Sequence, residues 1–184
     1  DDGTKGFADK HVGVDKPVTA SGVTLSGDDK DNYAFNGTGA GIATINARPI
    51  TVTAVTDTKI YNGTVSSVGT PVVTSTFSPP VAAVDTANFA QTYDNKNVGE
   101  DKTLTPSGVV IDGNPILEGS NYAVTFVNDT TGVITQKSIN VTAQADTKIY
   151  DGTTDSDVAP VVDELEVGDS IDMAPIQAYD TEDI

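Results

Sequence analysis

Apolar and polar residues alternate along most of this chain. Tyr122, Val124 and Phe126 interleave with Ala123, Thr125 and Val127, the period-two signature of a strand with two unlike faces. Val133–Val141 and Ile42–Val52 alternate in a similar way, as do Ile50–Val55 and Ile139–Gln144. Thr103–Ile111 reads as a strand bent at Pro106. Turn signals punctuate these runs at Asn36-Gly37, Asn62-Gly63, Ser78-Pro79-Pro80, Asp112-Gly113-Asn114-Pro115 and Asp151-Gly152. No window carries a helical apolar stripe. The pattern predicts an all-β chain of short strands, best fitted by immunoglobulin-like β-sandwich modules. A β-grasp-like module is the alternative.

One stretch occurs twice. Asp57–Thr64 reads DTKIYNGT and Asp146–Thr153 reads DTKIYDGT, a step of 89 residues with only Asn62 and Asp151 differing. Asp9–Val23 lines up with Asn95–Val109 at a step of 86, and Asn32-Tyr33-Ala34 with Asn121-Tyr122-Ala123 at 89. Pro71-Val72-Val73 recurs as Pro160-Val161-Val162, and Tyr93–Val98 is echoed weakly by Tyr179–Ile184. Such self-similarity predicts an array of one module. Two phases fit: modules over 1–90 and 91–184, or a half unit at 1–47, a full unit at 48–137 and a half unit at 138–184. The second phase allows the terminal half of one molecule to complete the opening half of its neighbour, head to tail.

Within the repeated stretch, Ile60 and Tyr61 are expected to end a strand, with Asn-Gly or Asp-Gly supplying the positive φ of a tight turn. Lys59, Tyr61 and Gly63, with Lys148, Tyr150 and Gly152, are thus structural candidates. The tyrosines are expected to bury their rings and donate to a backbone carbonyl, as corner tyrosines do. Tyr33 and Tyr122 invite the same reading. The competing role for Tyr61 and Tyr150 is a sugar-stacking platform.

Charge narrows the partners. The 27 acidic and 10 basic residues leave a net charge of −17; phosphates would be repelled, which speaks against nucleic acid and anionic membranes. No apolar run reaches the ~18 residues of a membrane span, and no signal-peptide pattern precedes Asp1. There is no cysteine, so disulfides are excluded as a source of stability and zinc loses its commonest ligand.

Catalytic chemistry has little to work with. His11 is the one histidine, and Asn97 stands at its place in the second copy. No G-x-S-x-G elbow accompanies it, so no catalytic residue is assigned and no enzyme is expected. Gly37, Gly39 and Gly41 precede no helix and read as a turn, not a phosphate loop. Carboxylates are the remaining cluster: Asp28, Asp29 and Asp31 with Asn32, and Asp155 with Asp157. Hard oxygen donors in a loop suit Ca²⁺, although neither group follows an EF-hand pattern; no other cofactor is expected. The N-x-T sequons at Asn36, Asn62, Asn128 and Asn140 read as chance in a threonine-rich chain.

K-I-Y-[ND]-G-T, then F-A-D-K-H-V-G-x-D-K-x-V-T-x-S-G-V-x-L-S-G and N-Y-A, together resemble the YDG repeats of large bacterial surface adhesins, the filamentous-haemagglutinin-like exoproteins in which related MBG repeats also stand. The resemblance implies secretion to the cell surface and a tandem β-rich stalk serving as spacer or scaffold. Its implied partners are neighbouring repeats or copies of itself, surface glycan, or a host or matrix protein. Two departures stand out: the first copy reads Y-N-G, and Thr74–Asn88 lacks the pair present at Gly168-Asp169. Some bacterial surface repeats join Lys to Asn or Asp covalently, and Lys59 and Lys148 are the candidates for that chemistry.

Overall fold

A computed structural model describes residues 4–22, 24–34 and 38–180; the Asn36-Gly37 turn and the Asn36 sequon lie outside them. The described residues are β-strand and loop, with one 3₁₀ turn at Lys30–Asn32 and no α-helix. The all-β expectation holds.

The strands are β1 (Thr4–Phe7), β2 (Gly13–Ser21), β3 (Thr38–Ile45), β4 (Arg48–Thr53), β5 (Thr58–Ile60), β6 (Val72–Thr74) and β7 (Thr86–Tyr93). Then come β8 (Gly99–Ile111), β9 (Tyr122–Val127), β10 (Asp129–Thr135), β11 (Val141–Thr142) and β12 (Val161–Val162). They form four sheets, ordered β1-β2-β3, β6-β4-β9, β5-β10-β8-β7 and β11-β12. In the second sheet β4 pairs antiparallel with β6 and parallel with β9. In the third, β5 runs parallel to β10, with Val133 opposite Thr58 and Thr135 opposite Ile60.

Three predicted strands differ from those observed. Ile42–Val52 is two strands, interrupted at Asn46-Ala47, and its halves join different sheets. Pro49 has no N–H for a central ladder; it lies opposite Ala123 of β9, at the end of β4 that β6 does not reach. The run Val133–Val141 breaks after Thr135. Thr103–Ile111 belongs to a longer β8, Gly99–Ile111, which contains Gly108. Gly108 has φ +124°, and a Cβ there would meet the Asn88 carbonyl oxygen at 2.1 Å. Only glycine lets the two backbones approach so closely.

The chain divides into two compact units: Asp1–Val55, Gly69–Gln91 and Thr105–Asp129 form the first, and Thr56–Val68, Thr92–Leu104 and Thr130–Ile184 the second. In the first unit, Ile50, Val52, Val110 and Tyr122 are buried together, with Val73, Val81, Phe89 and Val124 packed against them. Phe89 and Phe126 meet edge to face at 6.1 Å, the geometry their quadrupoles favour. In the second unit the buried side chains are Tyr93, Leu104 and Ile134, and Lys102 is buried as well. Gly132 is pressed between them: a Cβ there would lie 3.0 Å from the Lys102 carbonyl and 3.1 Å from both Leu104 and Tyr93.

The 86-residue step is visible in the backbone. Asp15 and Asp101 both adopt positive φ, 51° and 53°, a conformation costly for a residue with a Cβ. At the first of them the β2–β3 register shifts between Gly13 and Lys16, as a bulge requires. Lys16 then folds back onto the Asp9 carboxylate, and Lys102 onto the Asn95 amide oxygen.

Two substitutions test this packing. Leu104→Ala should cost about 2–5 kcal/mol, the usual toll of a cavity in a filled core, read from urea unfolding. Gly108→Ala should lower the urea midpoint well below that of Val109→Ala, because only the former drives a side chain into a neighbouring strand.

Candidate functional site

Both copies of the repeated stretch build the same lysine-held turn, in the second unit. Lys59 lies in β5 and its side chain reaches the turn that follows. Its ammonium has three protons and no acceptor capacity. They go to Asn62 Oδ1 at 2.9 Å, the Thr64 carbonyl at 2.7 Å and the Ser66 carbonyl at 2.9 Å. Lys148 repeats the set on Asp151 Oδ1 at 2.9 Å, the Thr153 carbonyl at 2.7 Å and the Asp155 carbonyl at 3.0 Å. Gly63 and Gly152 take φ +73° and +77°, so the predicted turn is present in both copies.

The acceptors are themselves fixed. Asn62 Oδ1 accepts from the Thr64 N–H and hydroxyl at 3.2 and 2.9 Å, and Asp151 Oδ1 from those of Thr153 at 3.0 Å each. Asp57 accepts the Ser67 hydroxyl at 2.6 Å and Asp146 the Ser156 hydroxyl at 2.7 Å. Each ammonium also faces a ring, Lys59 over Tyr93 at 5.1 Å and Lys148 over Tyr179 at 5.6 Å, a further attraction for the cation. Single antiparallel bridges close the far side, Ser66 with Thr92 and Asp155 with Ala178.

Electrostatics follow from these contacts. Lys148, and then the Thr153 N–H and hydroxyl, hold the Asp151 carboxyl down at about 2. Burial works against ionisation of Asp57, but hydrogen bonds from Ser67 and Val68 outweigh it and keep its pKa below the ordinary carboxylate value. Burial lowers the Lys59 pKa, with Asp57 opposing. Burial and then the Asp57 charge push the Tyr93 phenol up to about 12.

The tyrosines of the motif depart from expectation. Tyr61 is half-buried and donates to the Asp169 carboxylate at 2.7 Å, not to a backbone carbonyl, and Tyr150 is 64% exposed. The turn is locked by lysine, so the adjacent tyrosine is not needed inside. Of the N-Y-A pair, Tyr122 is buried, donating to Asp85 Oδ2 at 2.6 Å, whereas Tyr33 is 70% exposed. The tyrosines that do pack against the motif, Tyr93 and Tyr179, were not singled out from the sequence. Neither were Gln91 and Gln177. Gln91 uses both ends of its amide on Val55, accepting from its N–H and donating to its carbonyl at 2.8 Å. Gln177 treats Gln144 alike, at 2.8 and 2.9 Å. The signal was a Gln-x-Tyr recurring at 91–93 and 177–179.

Asp28, Asp29 and Asp31 lie exposed at the 3₁₀ turn, where Asn32 reaches Asp29 Oδ1 at 3.4 Å. Asp155 spends its carbonyl on Lys148, and Asp157 follows it in a loop. Among the described residues, no group of three or more His, Asp or Glu side chains converges where it could hold a metal ion. His11 sits with Nδ1 3.0 Å from Asn121 Nδ2, and Asn121 Oδ1 accepts the Val12 N–H at 2.9 Å. Beside it Lys10 reaches Asp85 at 3.2 Å and the Asp112 carbonyl at 3.1 Å. One step of 86 later Lys96 reaches Asp169 at 3.5 Å, sharing that carboxylate with Tyr61.

Two stretches of the chain, 1–40 and 46–132, match the family profile described as YDG domain. The chain belongs to the YDG domain family. The matched YDG residues include the Tyr61-Asn62-Gly63 copy of the turn, while Tyr150-Asp151-Gly152 follows the matched region. No curated protein and no solved structure matches the chain.

Two measurements probe the YDG turn. A carboxylate whose folded pKa is depressed stabilises the fold above its unfolded value of about 4, and that stabilisation is lost as pH falls towards 2. Carboxyl-detected NMR titration should therefore place the Asp151 midpoint near 2, and Lys148→Met should move it up towards the ordinary range. Lys59→Met takes the lysine donor from the Thr64 and Ser66 carbonyls and should cost about 1–3 kcal/mol in denaturant unfolding.

Proposed function

We propose that this chain is a non-catalytic structural region of a secreted bacterial adhesin or extracellular fibre, a spacer built from immunoglobulin-like sandwich modules. The observation that carries the reading is internal saturation of the repeated motif. Lys59 and Lys148 direct all three protons to oxygens of their own turns, and Asn62, Asp151, Asp57 and Asp146 are engaged within the same stretch or its neighbours. A ligand-binding motif keeps donors or acceptors pointing outwards; this one spends them on its own backbone. The same saturation weighs against covalent cross-linking through these lysines, since a protonated, fully donated ammonium has no lone pair to attack with.

A second support is the recurrence of a lysine-to-acid joint. Lys10 on Asp85 and Lys96 on Asp169 stand at equivalent lysines of the repeat. A fixed joint at a fixed step is what a spacer needs to set distance.

The spacer reading predicts that adding one more copy of residues 48–137 lengthens the particle by a constant increment of about 30 Å, the breadth of a domain that size, in small-angle scattering. Binding to a glycan array that is lost in Tyr150→Ala would instead make the modules themselves adhesive and displace the spacer role.

A further inference from the structure

The corner between β7 and β8 gathers a lysine, a carboxamide and a carboxylate around one another. The Asp94 N–H donates to the Thr103 carbonyl at 2.9 Å and closes the corner. Inside it the Lys102 side chain is only 8% exposed, and its ammonium donates to Asn95 Oδ1. The same ammonium pairs with Asp94 Oδ1 at 3.2 Å. Asp94 Oδ2 in turn accepts from Asn95 Nδ2 at 3.2 Å. The Asn97 N–H donates to Asn95 Oδ1 at 3.0 Å. One carboxylate therefore touches both the lysine nitrogen and the amide nitrogen, while a backbone donor polarises the amide carbonyl.

We propose that Lys102 and Asn95 become joined by an isopeptide bond, formed by the folded chain itself with Asp94 carrying the protons. Asp94 takes a proton from the Lys102 ammonium, which frees the lone pair that a nucleophile needs. The amide turns its face to Nζ, the Nζ–Cγ bond forms, and the charge gathered on Oδ1 is met by the Asn97 N–H. Asp94 then passes its proton to Nδ2, takes the second proton that Nζ sheds, and delivers that one too. The Cγ–Nδ2 bond breaks and Nδ2 leaves as ammonium. Charge and atoms balance: a lysine ammonium and a neutral amide give a neutral amide and an ammonium ion, and Asp94 ends as the carboxylate it began. Because Asp94 is 43% exposed, the departing ion has a way out.

The chain carries its own control one step of 86 earlier. There the Ala8 N–H donates to the Pro17 carbonyl at 3.2 Å, and the His11 N–H to Asp9 Oδ1 at 2.8 Å. Lys16 again folds onto residue 9. Asp9, however, is a carboxylate, whose charge resists a nucleophile, and Ala8 offers nothing to carry a proton. That corner stays an ion pair. The lysines of the YDG turn also lack the full set: Lys59 donates to an amide but to no carboxylate, and Lys148 to a carboxylate but to no side-chain amide. The bond pins the start of β8 to the end of β7 and does not depend on the spacer reading.

Mass spectrometry of the full chain, incubated folded and then denatured, should read ~17 Da below the sequence mass, the ammonia released. Tandem spectra after trypsin should show Lys102 uncleaved, with Asn95 attached to its Nζ. Lys102→Arg keeps the positive charge without a nucleophilic amine and should restore the full mass, its circular dichroism unchanged. Asp94→Ala copies the first corner and should slow bond formation about a hundredfold or more, the usual worth of a positioned acid–base group. Ala8→Asp combined with Asp9→Asn should install a second bond and a further loss of ~17 Da. An intact mass equal to the sequence value would overturn the proposal. So would a deficit that persists in Lys102→Arg, since it would mark an asparagine succinimide in place of the cross-link.

Discussion

The turn that closes each strand of the repeated motif depends on one lysine ammonium. An Asn-Gly or Asp-Gly pair can form a tight turn, but its carbonyls point inward with no partner unless something donates to them. Lys59 and Lys148 each donate to two such carbonyls and to one side-chain oxygen of the turn. An aromatic ring, Tyr93 or Tyr179, faces the same cation. This explains why the lysine is identical in the two copies while its side-chain acceptor is Asn62 in one and Asp151 in the other. Either residue offers an oxygen at the same point, and the ammonium needs only that.

Cations are scarce in a chain of net charge −17, and the structure uses them as internal fasteners. Lys16 and Lys102 fold back beside the positive-φ residues Asp15 and Asp101, Lys10 and Lys96 meet acids across the repeat, and Lys137 pairs with Glu166 at 2.6 Å. The surface left behind is overwhelmingly acidic. The exposed pairs among these add little stability individually. The lysines that donate to backbone carbonyls do more, because an unsatisfied carbonyl in a half-buried turn carries a desolvation cost.

Much of this was legible in the residues. Period-two alternation placed β9 over Tyr122–Val127, and the glycines after Asn62 and Asp151 announced the positive-φ turns. The repeat steps foretold where geometry would recur. What alternation could not convey was which sheet a strand joins: Ile42–Val52 looks continuous, yet Pro49 and the break before it hand the chain from one sheet to another. Nor could it show that Tyr122 is buried while Tyr33, in the same N-Y-A context, is exposed. Burial depends on the presence of a partner layer, such as the Ile50, Val52 and Val110 cluster, which the sequence around Tyr33 does not itself contain. Gln91 is hidden from pattern reading for a different reason. A polar residue in a strand signals solvent by default, and only the three-dimensional position of Val55 shows that its amide substitutes for a missing strand neighbour.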